Sequence, residues 1–327
     1  MNHPRRRATL TCLAAGLLTA ALPAVSAAAY PDKPIRLVVP FPPGQGADIL
    51  ARLIGQHLAA ALGQPIVVEN KVGAGGIIGT AFAAKAAPDG YTLYMGSSGP
   101  LAIGPHVYKA VGFDTLKDFA PISNIASVTQ VLATAPASQL ASAKDVVERA
   151  RAQPGMVPFG SAGSGTTSHL TMELFTQMSG ISLSHVPYKG SSTSMIDVMA
   201  GRVPLMFDSL PGVLTNVKSG SLRAIAVASA QRDPLLPNVP TVAESGVPGF
   251  ATSGWIGLLA PARTPPQIVD QLHTAVAKAL KSEAVKKRMS ELAFTPIGNS
   301  PAEFQTFLSK EVALWGGVAA KAGVQKE

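Results

Sequence analysis

Short β-type apolar runs alternate along the chain with segments whose apolar residues return every three or four positions, and breaks rich in glycine or proline separate them. That alternation predicts strand–loop–helix units. Ile35 to Pro40 reads as a strand and Phe41-Pro42-Pro43-Gly44-Gln45-Gly46-Ala47-Asp48 as a loop. On the helix that follows, Leu50, Ile54, Leu58 and Leu62, with Ile49 and Leu53 beside them, form one apolar face, and Gly63 ends it. The pattern then repeats with a strand over Pro65 to Glu69, a glycine-rich break within Asn70 to Thr80, a helix over Ile77 to Lys85, a strand over Tyr91 to Gly96 and a loop Ser97-Ser98-Gly99-Pro100. Three such units predict a parallel sheet with right-handed crossovers, whose ligands collect at the carboxyl ends of the strands.

Phe119 to Ala135 is a long β-prone stretch with Pro121 and Pro136 at its borders, which suits a strand leaving one lobe for another. A second set of units follows: a helix over Lys144 to Gln153, a strand over Val157 to Gly160, the loop Ser161 to Ser168, a helix over His169 to Ser179, and further strands and helices to Ala228. This predicts a second parallel sheet. Phe250 to Ala260 is the return crossing, and the helices over Pro265 to Leu280, Ser282 to Met289 and Pro301 to Ala320 are expected on the first lobe. Residues 30–127 with 250–327 form lobe 1, and residues 128–249 form lobe 2.

The N-terminus sets the address. Arg5, Arg6 and Arg7 precede an apolar small-residue run from Ala8 to Val25 and then Ser26-Ala27-Ala28-Ala29, the pattern of a signal peptide over residues 1–29. Pro23 and the Ala/Thr content argue against a membrane anchor. Cleavage removes Cys12, the single cysteine, so neither thiol nor disulfide is expected in the exported protein. Cleavage also removes three arginines and no acid, which takes the formal charge from +8 to +5. The basic residues are dispersed and no aromatic residues interleave with them, so the chain lacks a nucleic-acid groove.

Chemistry is constrained mainly by what the loops fail to match. Counting from Gly73 and Gly75, a dinucleotide fingerprint would need glycine where Ile78 stands, and neither glycine loop ends in the Gly-Lys-Ser/Thr of a P-loop. Gly160-Ser161-Ala162-Gly163-Ser164-Gly165 has the wrong spacing for a hydrolase elbow, and the six histidines are scattered, so neither a metal nor a cofactor is expected. The loops instead offer neutral donors: backbone N–H groups around Gly44 to Ala47 and Gly73 to Ile77, the hydroxyls of Ser97 and Ser98, and both kinds at Ser161 to Thr167. Such donors suit an anion at helix starts. Two structural alternatives stay open: the glycines only close a β-α connection, and Ser161 to Ser168 only caps a helix.

The motifs P-D-K-P-I-R-L-V-V-P-F-P-P-G, N-K-V-G-A-G-G-I-I-G, P-D-G-Y-T-L, G-S-A-G-S-G-T-T-S-H-L, V-P-Y-K-G and F-D follow one another in order over Tyr30 to about Val324. In this the chain resembles the Bug-type extracytoplasmic solute receptors, the substrate-binding components of tripartite tricarboxylate transporters. The resemblance implies an α/β, two-lobed periplasmic binding protein of type II-like, Venus flytrap form, each lobe a mainly parallel sheet flanked by helices. It implies a periplasmic monomer that binds a small organic carboxylate, delivers it to integral-membrane permease subunits and is not an enzyme. A periplasmic sensor and a periplasmic enzyme acting on carboxylates are the alternatives.

By position, the resemblance assigns Phe41, Gly44, Gln45 and Asp48 to a first ligand loop and Ala74, Gly75 and Gly76 to a second, which share one carboxylate, with Ser97 and Ser98 lining the same lobe. Ser161, Ala162, Gly165, Thr166 and Thr167 then meet the ligand from the other lobe, with Tyr188 and Asp208 near the cleft. The family pattern has glycine where this chain has Gln45. Asp48 and Asp208 each keep two readings, ligand contact or helix capping, and contact with an acid suits a solute that also carries an amine or hydroxyl. Lys189 reads as a loop residue.

Overall fold

The computed structural model describes residues 30–324 and Lys326, so the expected signal peptide, with Cys12, lies outside the described residues. Strand β1 (Ile35–Val39) leads into helix α1 (Gly46–Leu62), β2 (Ile66–Asn70) into α2 (Ile77–Ala84), and β3 (Thr92–Ser97) into a π-helical turn, Gly99–Ile103, continued by α3 (Gly104–Val107). The sequence pattern predicts a loop over Ser97 to Pro100, where the structure has a helical turn from Gly99. A proline in a first helical turn costs nothing, since the N–H it lacks has no partner there in any case.

Strands β4 (Phe119–Val128) and β5 (Gln130–Thr134) are nearly continuous, separated by Thr129 alone. Then come α4 (Ala143–Ala152), β6 (Pro158–Ser161), α5 (Thr167–Ser179), β7 (Ser184–Pro187), α6 (Ser191–Met199), β8 (Leu205–Ser209), α7 (Leu210–Lys218) and β9 (Arg223–Val227). The chain returns on β10 (Gly254–Pro261) and ends with α8 (Pro266–Lys281), α9 (Glu283–Glu291), β11 (Thr295–Pro296) and α10 (Pro301–Lys321).

These strands form two sheets, ordered β11-β4-β10-β3-β1-β2 and β7-β6-β8-β5-β9. The pairs β1–β2, β1–β3, β6–β7 and β6–β8 are parallel, as the crossover units predict. Each sheet also carries antiparallel pairs, although most of its strands run one way: β10 is antiparallel to β3 and β4, β11 to β4, and β5 to β8 and β9. The reason is directional. Strands β5 and β10 are those on which the chain enters a sheet, so they start at the junction where the strands of the crossover units end.

Three apolar cores follow. One packs α1, α8 and α9 against the first sheet through residues such as Leu50, Ile54, Leu272 and Met289. Another packs α6 and α7 on the second sheet through Met195, Val198, Leu210 and Val213. The third is shared, joining Tyr94, Leu101 and Phe119 to Phe159, Phe175 and Phe207. Helix α10 takes part in it through Trp315 and Val318, so it spans both sheets instead of resting on the first lobe alone. Gln177 of α5 donates to the carbonyl of Val318 at 2.9 Å. Glu311, on the same helix, accepts the indole N–H groups of Trp255 at 2.8 Å and Trp315 at 3.0 Å on one oxygen, Oε2.

Gly257 of β10 lies under α10, where a β-carbon would stand 2.3 Å from Phe304 Cζ. Gly257→Ala should therefore destabilise by about 1–3 kcal/mol through overpacking, read as a lower urea midpoint at unchanged slope.

Candidate functional site

The carboxyl ends of β1, β2 and β3 carry the first, second and third loops, and those of β6, β7 and β8 carry the loops of the second sheet. In the first loop Asp48 is buried in the opening turn of α1. Its Oδ2 accepts the amide of Gly44 at 2.8 Å and Arg52 Nε at 3.0 Å, while Oδ1 accepts Arg52 Nη2 at 2.9 Å and Asn70 Nδ2 at 2.9 Å. Asn70 also donates to the carbonyl of Phe41 at 2.9 Å, which ties the end of β2 to the start of the loop. Burial by itself would raise the Asp48 pKa, but the hydrogen bonds from Arg52, Gly44 and Asn70 outweigh it and hold the group below the ordinary carboxylate range. Asp48 thus braces the loop from behind, and Arg52, which balances its charge, is already paired.

Gln45, the departure from the family pattern, sits at φ −80° and ψ 162° as the N-cap residue of α1. That is ordinary extended backbone, so glutamine fits without strain. The left-handed residue is Gly44, at φ +83°. The second loop is a single 3-10 turn, Ala74–Gly76. Gly76 has φ +100° and its α-carbon is packed against Pro40 and Pro100, where a β-carbon would sit 3.3 Å from each ring, so this glycine serves packing as well as the loop. Ser97 ends β3, and Ser98 is buried beyond it.

In the second sheet the loop Ser161–Thr167 is fastened at several points. Ser161 Oγ is 2.6 Å from His185 Nε2 and accepts the amide of Gly163 at 3.1 Å. The amide of Ala162 donates to Ser168 Oγ at 3.0 Å, that of Gly165 to His169 Nδ1 at 3.1 Å, and Thr166 Oγ1 accepts the amide of His169 at 3.4 Å as the cap of α5. A serine hydroxyl at this distance from an imidazole resembles a nucleophile with its base. Ser161, however, is fully buried, and the contact holds the loop.

Tyr188 gives its hydroxyl to Asp197 Oδ2 at 2.6 Å, and Asp197 is in turn paired with Arg202. Asp208 is buried at the end of β8, its Oδ1 accepting the amide of Ser209 at 2.7 Å, and burial pushes its pKa up to about 6. The two sets of loops meet directly: Ser98 Oγ lies 3.0 Å from Thr167 Oγ1, and a β-carbon on Gly165 would be 2.4 Å from Val107 Cγ2.

Most of the chain, not only its motifs, matches known proteins. It matches the family described as "Tripartite tricarboxylate transporter family receptor" over residues 50–324. The chain belongs to that receptor family. The receptor is 39% identical over 302 residues to Protein BugT of Bordetella pertussis, covering 92% of this chain and 93% of BugT. Among solved structures it is similar to R. palustris Rpa4515 with adipate, at 38% identity and TM-score 0.83, covering 91% of this chain and all of that one (100%). It is also similar to MatC (Rpa3494) from Rhodopseudomonas palustris with bound malate, at 30% identity and TM-score 0.79, covering 89% of this chain and 100% of that one. The two mixed, helix-flanked sheets have the periplasmic binding protein fold. No described helix of the receptor is long and apolar enough to cross a membrane.

Sequence reasoning did not find Arg52, Asn70 or His185 as parts of the site. Asn70 was quoted within a motif, but nothing in spacing shows that its amide bridges Phe41 and Asp48. His185 lies in a short strand and has no local signature.

The Asp48 pKa is depressed on folding, so its contribution to stability is complete above the unfolded value of about 3.9 and is lost as the pH falls below that through the folded value. Asp48→Asn should therefore lower neutral-pH stability by about 1–3 kcal/mol and flatten the acid limb below about pH 4, measured by urea unfolding across pH.

Proposed function

We propose that the receptor captures a small organic carboxylate between lobe 1 (residues 30–127 with 250–327) and lobe 2 (residues 128–249). It acts in the periplasm as a monomer and without catalysis, and it hands the solute to the integral-membrane permease subunits of a tripartite tricarboxylate-type transporter. One observation carries the binding chemistry. Helices α1 and α2 on one side and α6 on the other begin at strand ends of the cleft without a side-chain cap. The uncapped first turns leave N–H groups for an anion, and the helix dipoles favour one there.

The contacting segments are the loops at Gly44, Gln45, Ala74, Gly75 and Gly76, with Ser97 and Ser98, met from lobe 2 by Ala162, Gly165, Thr166 and Thr167; within them the amides of Gly44, Ala162 and Gly165 are taken by Asp48, Ser168 and His169 and shape the loops. Phe41 walls the first loop. Asp48, Ser161 and Tyr188 act from behind, because their polar groups are committed to Arg52, His185 and Asp197. Asp208 provides an acidic end suited to a hydroxyl or amine of the solute. The adipate and malate held by the two R. palustris relatives support a dicarboxylate. Each hydrogen bond to a charged group is worth ~1.5–3 kcal/mol, so four or five reach micromolar affinity after association costs.

Calorimetry against adipate, malate, aromatic acids and acidic amino acids should find at least one ligand with Kd of order micromolar. Lack of heat or thermal stabilisation with every organic acid at millimolar concentration would overturn the proposal, and turnover of a bound acid would overturn its non-catalytic part. Pull-down from membranes with ligand present should recover permease subunits; recovery of a sensor kinase alone would replace delivery with signalling.

A further inference from the structure

Behind the lobe 2 ligand loop, two imidazoles lie face to face. The rings of His169 and His185 are 3.8 Å apart between centroids and 9° from parallel, with Phe159 stacked on His185 at 4.9 Å. His169 is buried. Each ring holds one end of the loop. His185 Nε2 meets Ser161 Oγ at 2.6 Å, and His169 Nδ1 accepts the amide of Gly165 at 3.1 Å. Because Nδ1 accepts, the ring proton of neutral His169 sits on Nε2, which faces Glu173 Oε1 at 3.5 Å.

An apolar group in place of Nδ1 would give the N–H of Gly165 nothing to donate to. The hydrogen bond would be lost and a buried donor left without an acceptor. Burial and the neighbouring His169 push the His185 pKa down to about 3. Glu173, on α5 itself, is the charged group that faces the pair; β6 presents Phe159 and Ser161, and the loop presents backbone amides. Gly165 is also where the lobes touch, at φ +70° against Val107. Moving it loosens the inter-lobe contact as well as the loop.

We propose that His169 and His185 are positioning residues for the lobe 2 loop, and that the acceptor nitrogen of His169 holds Gly165 in its contact with Val107 and so sustains affinity for the solute. The affinity half of this rests on the carboxylate reading above; the loop half does not. Two variants separate the contributions. His169→Asn places an acceptor oxygen where Nδ1 stands, and His169→Leu removes the acceptor.

Hydrogen exchange over residues 161–167 of the unliganded protein, corrected for intrinsic rates, should show Gly165 about tenfold more protected in the wild type than in His169→Leu. His169→Asn should restore that protection. With adipate as probe, His169→Leu should bind roughly tenfold more weakly than the wild type, and His169→Asn should match the wild type. Equal protection of Gly165 in wild type and His169→Leu, or no recovery of protection or affinity in His169→Asn, would overturn the proposal. If the exchange pattern holds while neither adipate nor any other organic acid binds, the loop device stands and the carboxylate reading fails.

Discussion

Strands β4 and β10 pair antiparallel from Val128 against Gly254 to Phe119 against Pro261, and just beyond Thr129 their continuation in the second sheet pairs β5 with β9. The only described chain segments that pass between the sheets are therefore held side by side. Thr129 Oγ1 donates to Asp233 Oδ2 at 2.7 Å, and the amides of Leu210 and Ala228 donate to the carbonyls of Thr129 and Gln130, each at 2.8 Å, so the crossing is hydrogen-bonded on several sides. This paired crossing fixes which strand ends face each other. The meeting of Ser98 with Thr167 and of Val107 with Gly165 follows from it.

Given that frame, the site handles charge by spreading it. Arg52 and Asp48 neutralise one another behind the first loop, which on the proposed reading leaves helix starts and hydroxyls for the solute. A bare arginine in the cleft would bind a carboxylate more strongly and pay a larger desolvation cost each time the solute came or went. Neutral donors divide the interaction among several bonds of moderate strength, which suits a molecule that must release what it captures.

The alternation of apolar runs and glycine breaks was enough to locate nearly all strands and helices, because each β-α unit encloses its own hydrophobic period within about twenty residues. Strand direction was less legible. Nothing local in Gly254 to Pro261 says that it runs antiparallel to β3, since direction is set by where the chain enters the lobe. The glycine and serine loops of the site could likewise be read from their motifs, whereas the groups that hold them could not. Asn70 and His185 act across sequence separations of 22 to 29 residues, and no periodicity reports a contact between loops; Arg52 lies one helical turn from Asp48, a spacing that does not by itself mark a site. Helix α10 is expected on one lobe; that its far end, at Trp315 and Val318, meets α5 is a property of the assembled core.

Glu311 has an optical consequence. The chain contains two tryptophans, and one carboxylate oxygen binds both indoles, Trp255 just past the return crossing and Trp315 on the helix that spans the sheets. Indole emission from the whole molecule therefore originates at a single seam between the returning strand and the bridging helix. Any rearrangement of that seam alters both fluorophores together, so the protein carries a natural spectroscopic probe at the junction of its two halves, without a label.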